Sequence, residues 1–501
     1  MNLYNKQIVN NSLFTVAQII IVSLCTFFLY RYIIATLGLE KLGLWSLILS
    51  ITSLGNIAQV GFTGSLVKFS AELSFEKNYK KINAVLNSSI LTIGGIIMLL
   101  VLVIFFLANF FLGYFVESKW QSDGMYLLSF ALVSLCINIV ASLYYSVLEG
   151  LNKAFLRSIS FILCTLVYVF LSVVLINYFD LKGLAYAQLI QAVFFFVFGI
   201  CLSILYIPKF NLFYYKRDKK YMMSVYKYGL NFQTIGFAQM LYDPVTKFIL
   251  SRYGGLNLVA IFELSSKIVK QIKSLTSGIM QNIVPKIAGL NMMADKSRIL
   301  EAYRKVSKIN MFLLFITLGL VVPSAKVLSI VFFGEYNHLF VLVLIITCLG
   351  WFLNGLNIPA YMINLGTGKL KGNVYGHVAI GVFNFIFCGL VGYFFEDGIF
   401  IVVAWIVSLV AGSSIIITEF HVRMKTPLTY IFDKEFFKTL MLYSIFLGLS
   451  YLINLKLDNL VILSIVLFTI VGGYYFLIFK GMKSMEKNYQ YIFRNKRNEK
   501  T

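Results

Sequence analysis

The stretch FELSSKIVKQIKS, from Phe262 to Ser274, carries Glu263, Lys267, Lys270 and Lys273 inside a region that is otherwise apolar. Set at 100° per residue, Glu263, Ser266, Lys267, Lys270, Ser274, Ser277 and Gln281 fall within about 100° of arc, with Lys273 beside them. Leu264, Ile268, Ile272, Leu275 and Ile279 take the opposite side. A charge in an apolar slab is costly unless it meets a cavity or a partner, so this face predicts a cavity wall. Lysine presents a hydrated point charge on a flexible stem, the chemistry of a site that holds a phosphate and then lets it go. Lys247, one span earlier, and Arg31, near the end of the first span, add to the cations. Asp243 and Glu263 each have a lysine four residues on, so they read as ion-pair partners or as carboxylates that bind H+ or Na+ to drive a cycle.

What positions such a face is a membrane bundle. Of 501 residues, 59% are hydrophobic and only 13% charged, a balance that excludes a soluble domain of this length. A bilayer core takes about 20 apolar residues per helix. On that measure the sequence predicts about fourteen spans, near 12–34, 43–64, 82–113, 125–148, 155–178, 183–207, 226–251, 257–282, 306–333, 339–365, 372–394, 398–420, 436–454 and 459–480. With the N-terminus in the cytoplasm, 32 of the 43 Lys and Arg fall in cytoplasmic segments and 7 outside; the other four are Lys247, Lys267, Lys270 and Lys273. Laying the lysine helix on the membrane surface would invert every later segment, so it is read as a span. Both termini are expected in the cytoplasm. The first span lacks a small-residue cleavage motif and is expected to stay as an anchor. The net charge of +22 belongs to the same asymmetry and to anionic membrane lipids, and no nucleic-acid module is visible.

Sliding the chain by 217 residues sets IIATLGLEKLGLWSLILSI (33–51) against LSRYGGLNLVAIFELSSKI (250–268), pairing Gly38 with Gly255 and Trp45 with Phe262. Such a repeat predicts two six-helix lobes of shared orientation, 1–214 and 215–429, with a terminal helix pair and basic tail over 430–501. Enzyme chemistry finds no footing. The six cysteines form no CxxC pair, the three histidines lie far apart, and GTGK at 366–369 lacks the first glycine and the Ser or Thr of a phosphate loop. No cofactor is called for.

LGLEKLGLWSLILSITSLGNIAQVGFTGSLVKFSAEL (37–73) resembles the first-hairpin signature of the bacterial polysaccharide flippases, and KFILSRYGGLNLVAIFELSSKIV (247–269) resembles its counterpart in the second half. That resemblance implies a V-shaped transporter with the fold of multidrug exporters and of the murein-precursor flippase. It implies a lipid-linked oligosaccharide substrate, an O-antigen or capsule repeat unit on a polyprenyl-pyrophosphate carrier, moved across the bacterial cytoplasmic membrane, with other polysaccharide assembly proteins as partners. Murein-precursor flipping and multidrug export remain open alternatives. A membrane glycosyltransferase or polymerase would need outward catalytic acids or a large outside loop, whereas the outside acids are scattered over short loops. Alkaline phosphatase fused after Lys119 should be active and fused after Arg217 inactive; the reverse pattern would overturn the orientation.

Overall fold

The computed structural model describes residues 3–55, 57–212, 242–281, 283–293, 295–395 and 397–456, with single positions 223 and 472. Every regular element among them is helical: α1 (Leu3–Leu37), α2 (Leu39–Gly55), α3 (Ile57–Phe75), α4 (Tyr79–Phe115), α5 (Ser118–Gly150), α6 (Ala154–Phe179), α7 (Leu181–Tyr206), α8 (Tyr242–Tyr253), α9 (Gly255–Gln281), α10 (Val284–Met292), α11 (Lys296–Gly319), α12 (Val321–Phe333), α13 (His338–Gly355), α14 (Ile358–Thr367), α15 (Lys371–Phe395), α16 (Gly398–Met424), a 3-10 turn (Leu428–Tyr430) and α17 (Lys434–Lys456). In a bilayer only such elements satisfy their own backbone polar groups. Nine stretches among the described residues are long and apolar enough to cross a membrane, α11 with α12 and α13 with α14 each counting as one. The charged α9 is not one of the nine. The expected fourteenth span and the start of the seventh, 226–241, lie outside the described residues.

Helices run further than hydropathy alone suggests. The second span, expected to end near 64, continues as α3 to Phe75, where Lys68 and Glu72 stand 3.8 Å apart one turn from each other. The expected loop 283–308 holds α10 and the first turns of α11. Asp295 caps α11 by accepting from the Arg298 N–H at 3.0 Å, and the Ser297 hydroxyl and that N–H hold its carboxyl below the usual carboxylate range. Polar surface residues end an apolar run without ending a helix. GTGK is the end of α14 and its cap, closed by Gly368 at φ +70°.

The chain divides into two compact units. The first comprises Met1–Leu264 and His377–Ser408. In it α5 packs along α7, α4 and α3, and α6 lies between α7 and α1. Gly38 and Gly255, paired by the internal repeat, both adopt positive φ, +85° and +72°, so each turns the chain between the same two helices of its half. Their repeat partners Trp45 and Phe262 are both fully buried, Phe262 edge-on to Trp405 at 5.2 Å. α2 crosses α9 so closely that a Cβ on Gly43 would lie 1.9 Å from the Leu256 carbonyl oxygen. Ser251 Oγ and Arg252 Nη1 donate to the carbonyls of Phe115 and Tyr114, each at 2.7 Å, and tie α8 to the end of α4. A polar zipper joins α8 to α15: Asn384 Nδ2 donates to Tyr242 O at 2.8 Å, and Thr246 Oγ1 to Asn384 Oδ1 at 3.1 Å.

The second unit comprises Ser265–Gly376 and Leu409–Thr501. Its apolar centre joins Ile287, Ile299, Tyr303, Ala360, Ile363, Ile416 and Phe420, contributed by α10, α11, α14 and α16. The chain entering α17 is pinned to α11 by Asp433, which meets Lys308 at 3.4 Å and Arg304 at 3.7 Å. Burial alone would raise that carboxyl, but the Phe436 N–H and the two cations hold it low.

Gly43→Leu must push α2 off α9, whereas Gly64 has open space around it. The Gly43 variant should melt several degrees lower in detergent and Gly64→Leu should match the wild type; equal melting would show that the close approach carries no stability.

Candidate functional site

Two of the lysines that the sequence places within apolar segments are held in quite different ways. Lys247 and Glu263 stand at equal sequence distance from the Gly255 turn, so the antiparallel α8 and α9 bring them face to face. Lys247 Nζ lies 2.6 Å from Glu263 Oε2, with the two side chains only 7% and 13% exposed. Tyr30 on α1 donates its hydroxyl to the other carboxylate oxygen at 3.0 Å. All three belong to the first unit. In so dry a setting neither charge is tolerable alone, and the pair as a whole is neutral. Lys247 and Glu263 therefore act on each other across the hairpin, a partnership that the i,i+4 spacing does not reveal.

In the second unit the arrangement has the opposite character. Lys273 Nζ donates to Asn354 Oδ1 at 2.5 Å and sits 4.1 Å from the centre of the Trp351 ring; Lys270 Nζ is 5.6 Å from the same ring. Both lysines are half-buried. Among the described residues no carboxylate comes within ion-pairing reach of Lys273. Its charge is met by an amide oxygen and a π face, both neutral, with a second ammonium one turn away. A cation over an indole gains ~0.5–2 kcal/mol, less than the several kcal/mol that an effective desolvation of an ion costs. The result is a place where a negative group is favoured.

Asn354 is fixed on its other side. Its Nδ2 donates to Ser413 Oγ at 2.7 Å, as does Asn357 Nδ2 at 3.0 Å, and the Ser413 hydroxyl donates in turn to Leu409 O at 2.6 Å. Lys267 is exposed on α9, Arg31 is exposed on α1, and Asp243 is half-buried on α8. The structure thus gathers Lys270 with Lys273, and Lys247 with Glu263. Tyr30, Trp351, Asn354 and Ser413 escaped the sequence reading, though asparagines at 354 and 357 within an apolar span were a usable signal.

Among the described residues the protein is a bundle of helices. It superimposes on the lipid II flippase MurJ in an inward closed conformation with a TM-score of 0.70 at 13% identity, covering 95% of this chain and 99% of that one. An inward-facing multidrug resistance transporter of the MATE family in the MOP superfamily gives 0.63 at 15% identity, covering 80% and 94%. A point mutant of the Vibrio cholerae MATE transporter VcmN gives 0.59 at 15% identity, covering 85% and 99%. The family profile described as polysaccharide biosynthesis protein matches residues 8–291, and the chain belongs to that family. A search of curated proteins finds no match. Family and fold agree with the resemblance read from 37–73 and 247–269, and the protein is a multi-pass membrane protein.

Lys247→Met strands Glu263, which should cost about 3 kcal/mol or more and lower the melting temperature, while Lys247→Met combined with Glu263→Gln should recover most of the loss. Additive losses in that double-mutant cycle would show that the pair is not coupled.

Proposed function

We propose that the protein is a flippase for undecaprenyl-pyrophosphate-linked oligosaccharides, the repeat units of O-antigen or capsular polysaccharide. It moves them from the cytoplasmic to the outer leaflet of the bacterial cytoplasmic membrane by alternating access. The observation that carries this reading is the Lys273 ammonium, held beside Lys270 and, among the described residues, by an amide and a ring face without a carboxylate, and so open to exchange for a diphosphate. Lys267, exposed on the same helix, extends the positive strip by one turn. Lys247, called a substrate cation by the sequence, is offset by Glu263 in the first unit.

A cavity for cationic drugs would favour acids over this cluster. Membership in a polysaccharide biosynthesis family supports a glycan carrier over the murein precursor, whose head group would suit the same lysines. The moving bodies are the lobes 1–214 and 215–429, with 430–501 appended and both termini in the cytoplasm. The energy source is an ion, H+ or Na+, taken by Asp243 or by Glu263 when its pairing with Lys247 opens. Assembly proteins that lengthen the glycan are the partners downstream.

Deleting the gene in its native bacterium should remove surface glycan and leave lipid-linked repeat units on the cytoplasmic leaflet. Wild type should restore export; Lys270→Ala with Lys273→Ala should insert normally and restore none, and Lys→Arg at either position should restore part. Intact surface glycan in the deletion strain would move the assignment to drug export.

A further inference from the structure

The span formed by α13 and α14 breaks between Asn354 and Asn357, where Leu356 N bonds Leu353 O and Asn357 N bonds Asn354 O in tight turns. The cause is Pro359. It has no N–H, so Gly355 O loses the donor that a continuous helix would supply four residues on. Asn310 Nδ2 from α11 takes that place at 3.0 Å, and Gly355 allows the approach, since a Cβ there would lie 2.7 Å from Leu314.

At the same break stands the amide that holds Lys273, and its orientation is determined by the network. Ser413 has one proton, committed to Leu409 O, so toward Asn354 and Asn357 it can only accept. Asn354 must therefore turn its NH2 to Ser413 and its oxygen to Lys273. One side chain thus joins the lysine site on α9, the break in α13–α14, and α16.

We propose that Asn354 is a positioning residue that parks the Lys273 ammonium between turnovers and links diphosphate occupancy to the helix break. This rests on the flippase reading above. When a diphosphate draws the ammonium away, Asn354 loses its acceptor role while its bond to Ser413 remains, so the break is held differently in the occupied and the empty protein. A ligand shifts a conformational equilibrium only through such differential contacts. An amide suits the task because its bond to an ammonium is worth ~1.5–3 kcal/mol, enough to place the charge and little enough to yield to a diphosphate.

The test measures binding of undecaprenyl pyrophosphate, and separately of inorganic pyrophosphate, to full-length protein in nanodiscs. Asn354→Asp places a carboxylate against Lys273 and should weaken both probes about tenfold or more, since a charged partner competes with the ligand. Asn354→Ser releases the ammonium and should bind both within about threefold of wild type, yet support little export, because the link to the break is cut. A purely structural Asn354 would give variants that lose binding together, in proportion to lost stability. The wild type supplies a measurement independent of any variant's folding: pyrophosphate should shift tryptophan emission, and the shift should vanish in Trp351→Phe. Asp and Ser variants that bind alike would overturn the link while leaving the flippase reading intact. An effect confined to the lipid-linked probe would also overturn it, by moving the contact from diphosphate to lipid. A wild type that binds neither probe would overturn both.

Discussion

An ammonium enclosed among packed helices has to be solvated by something other than bulk water, and the second half of this protein is arranged around the different ways it does so. Lys247 is answered by a carboxylate and a phenol in a nearly dry contact. Such a pair is hard to pull apart, because either partner left alone would be a buried charge. Lys273 is answered by an amide and an indole. Those groups stabilise the cation without neutralising it, so its field persists. The first arrangement fastens a hairpin, and the second leaves a charge with work to do.

The same demand for satisfied polar groups explains where the backbone is irregular. Gly38 and Gly255 turn their chains at positive φ, which an L side chain would resist, and so begin α2 and α9 at equivalent points of the repeat. Pro359 opens one carbonyl in mid-span, and Asn310 closes it again. In lipid an open carbonyl would cost several kcal/mol, so a break is tolerated only where a neighbouring helix brings a donor. Breaks are therefore tied to polar side chains on other helices, and that is how a bend in one helix becomes connected to a charge on another.

Much of this was legible in the sequence, and what was not failed for identifiable reasons. Composition read the class correctly, and the 217-residue slide paired two glycines that share a backbone conformation and two aromatics that share full burial. Helix ends were misjudged where polar residues continue a helix beyond its apolar part, as at Lys68 to Phe75 and through α10. The Lys247 and Glu263 contact was hidden because each has a closer partner in sequence, and only the geometry of the hairpin brings them together. Asn354 stands out as a polar residue in an apolar span, but its partners were hidden for a stronger reason. Its role depends on a proline five residues on, a serine on α16 and a lysine on α9, none of which marks it by spacing.

The neutral setting of Lys273 also bears on why a carrier would avoid a tighter one. A site that transports must bind its ligand and then release it, so affinity beyond what capture needs slows the cycle. On the proposed flippase function, a carboxylate beside Lys273 would compete with every incoming diphosphate. A bare lysine would wander over its rotamers, and each productive encounter would then carry the entropy of ordering it, up to ~2 kcal/mol for so long a side chain. An amide oxygen and a ring face lie between these limits: they hold the ammonium in one place and leave its charge unspent. On this argument the two asparagines and the serine at the break matter less for folding energy than for keeping one lysine ready, and that accounts for so many polar side chains converging on a span that hydropathy describes as apolar.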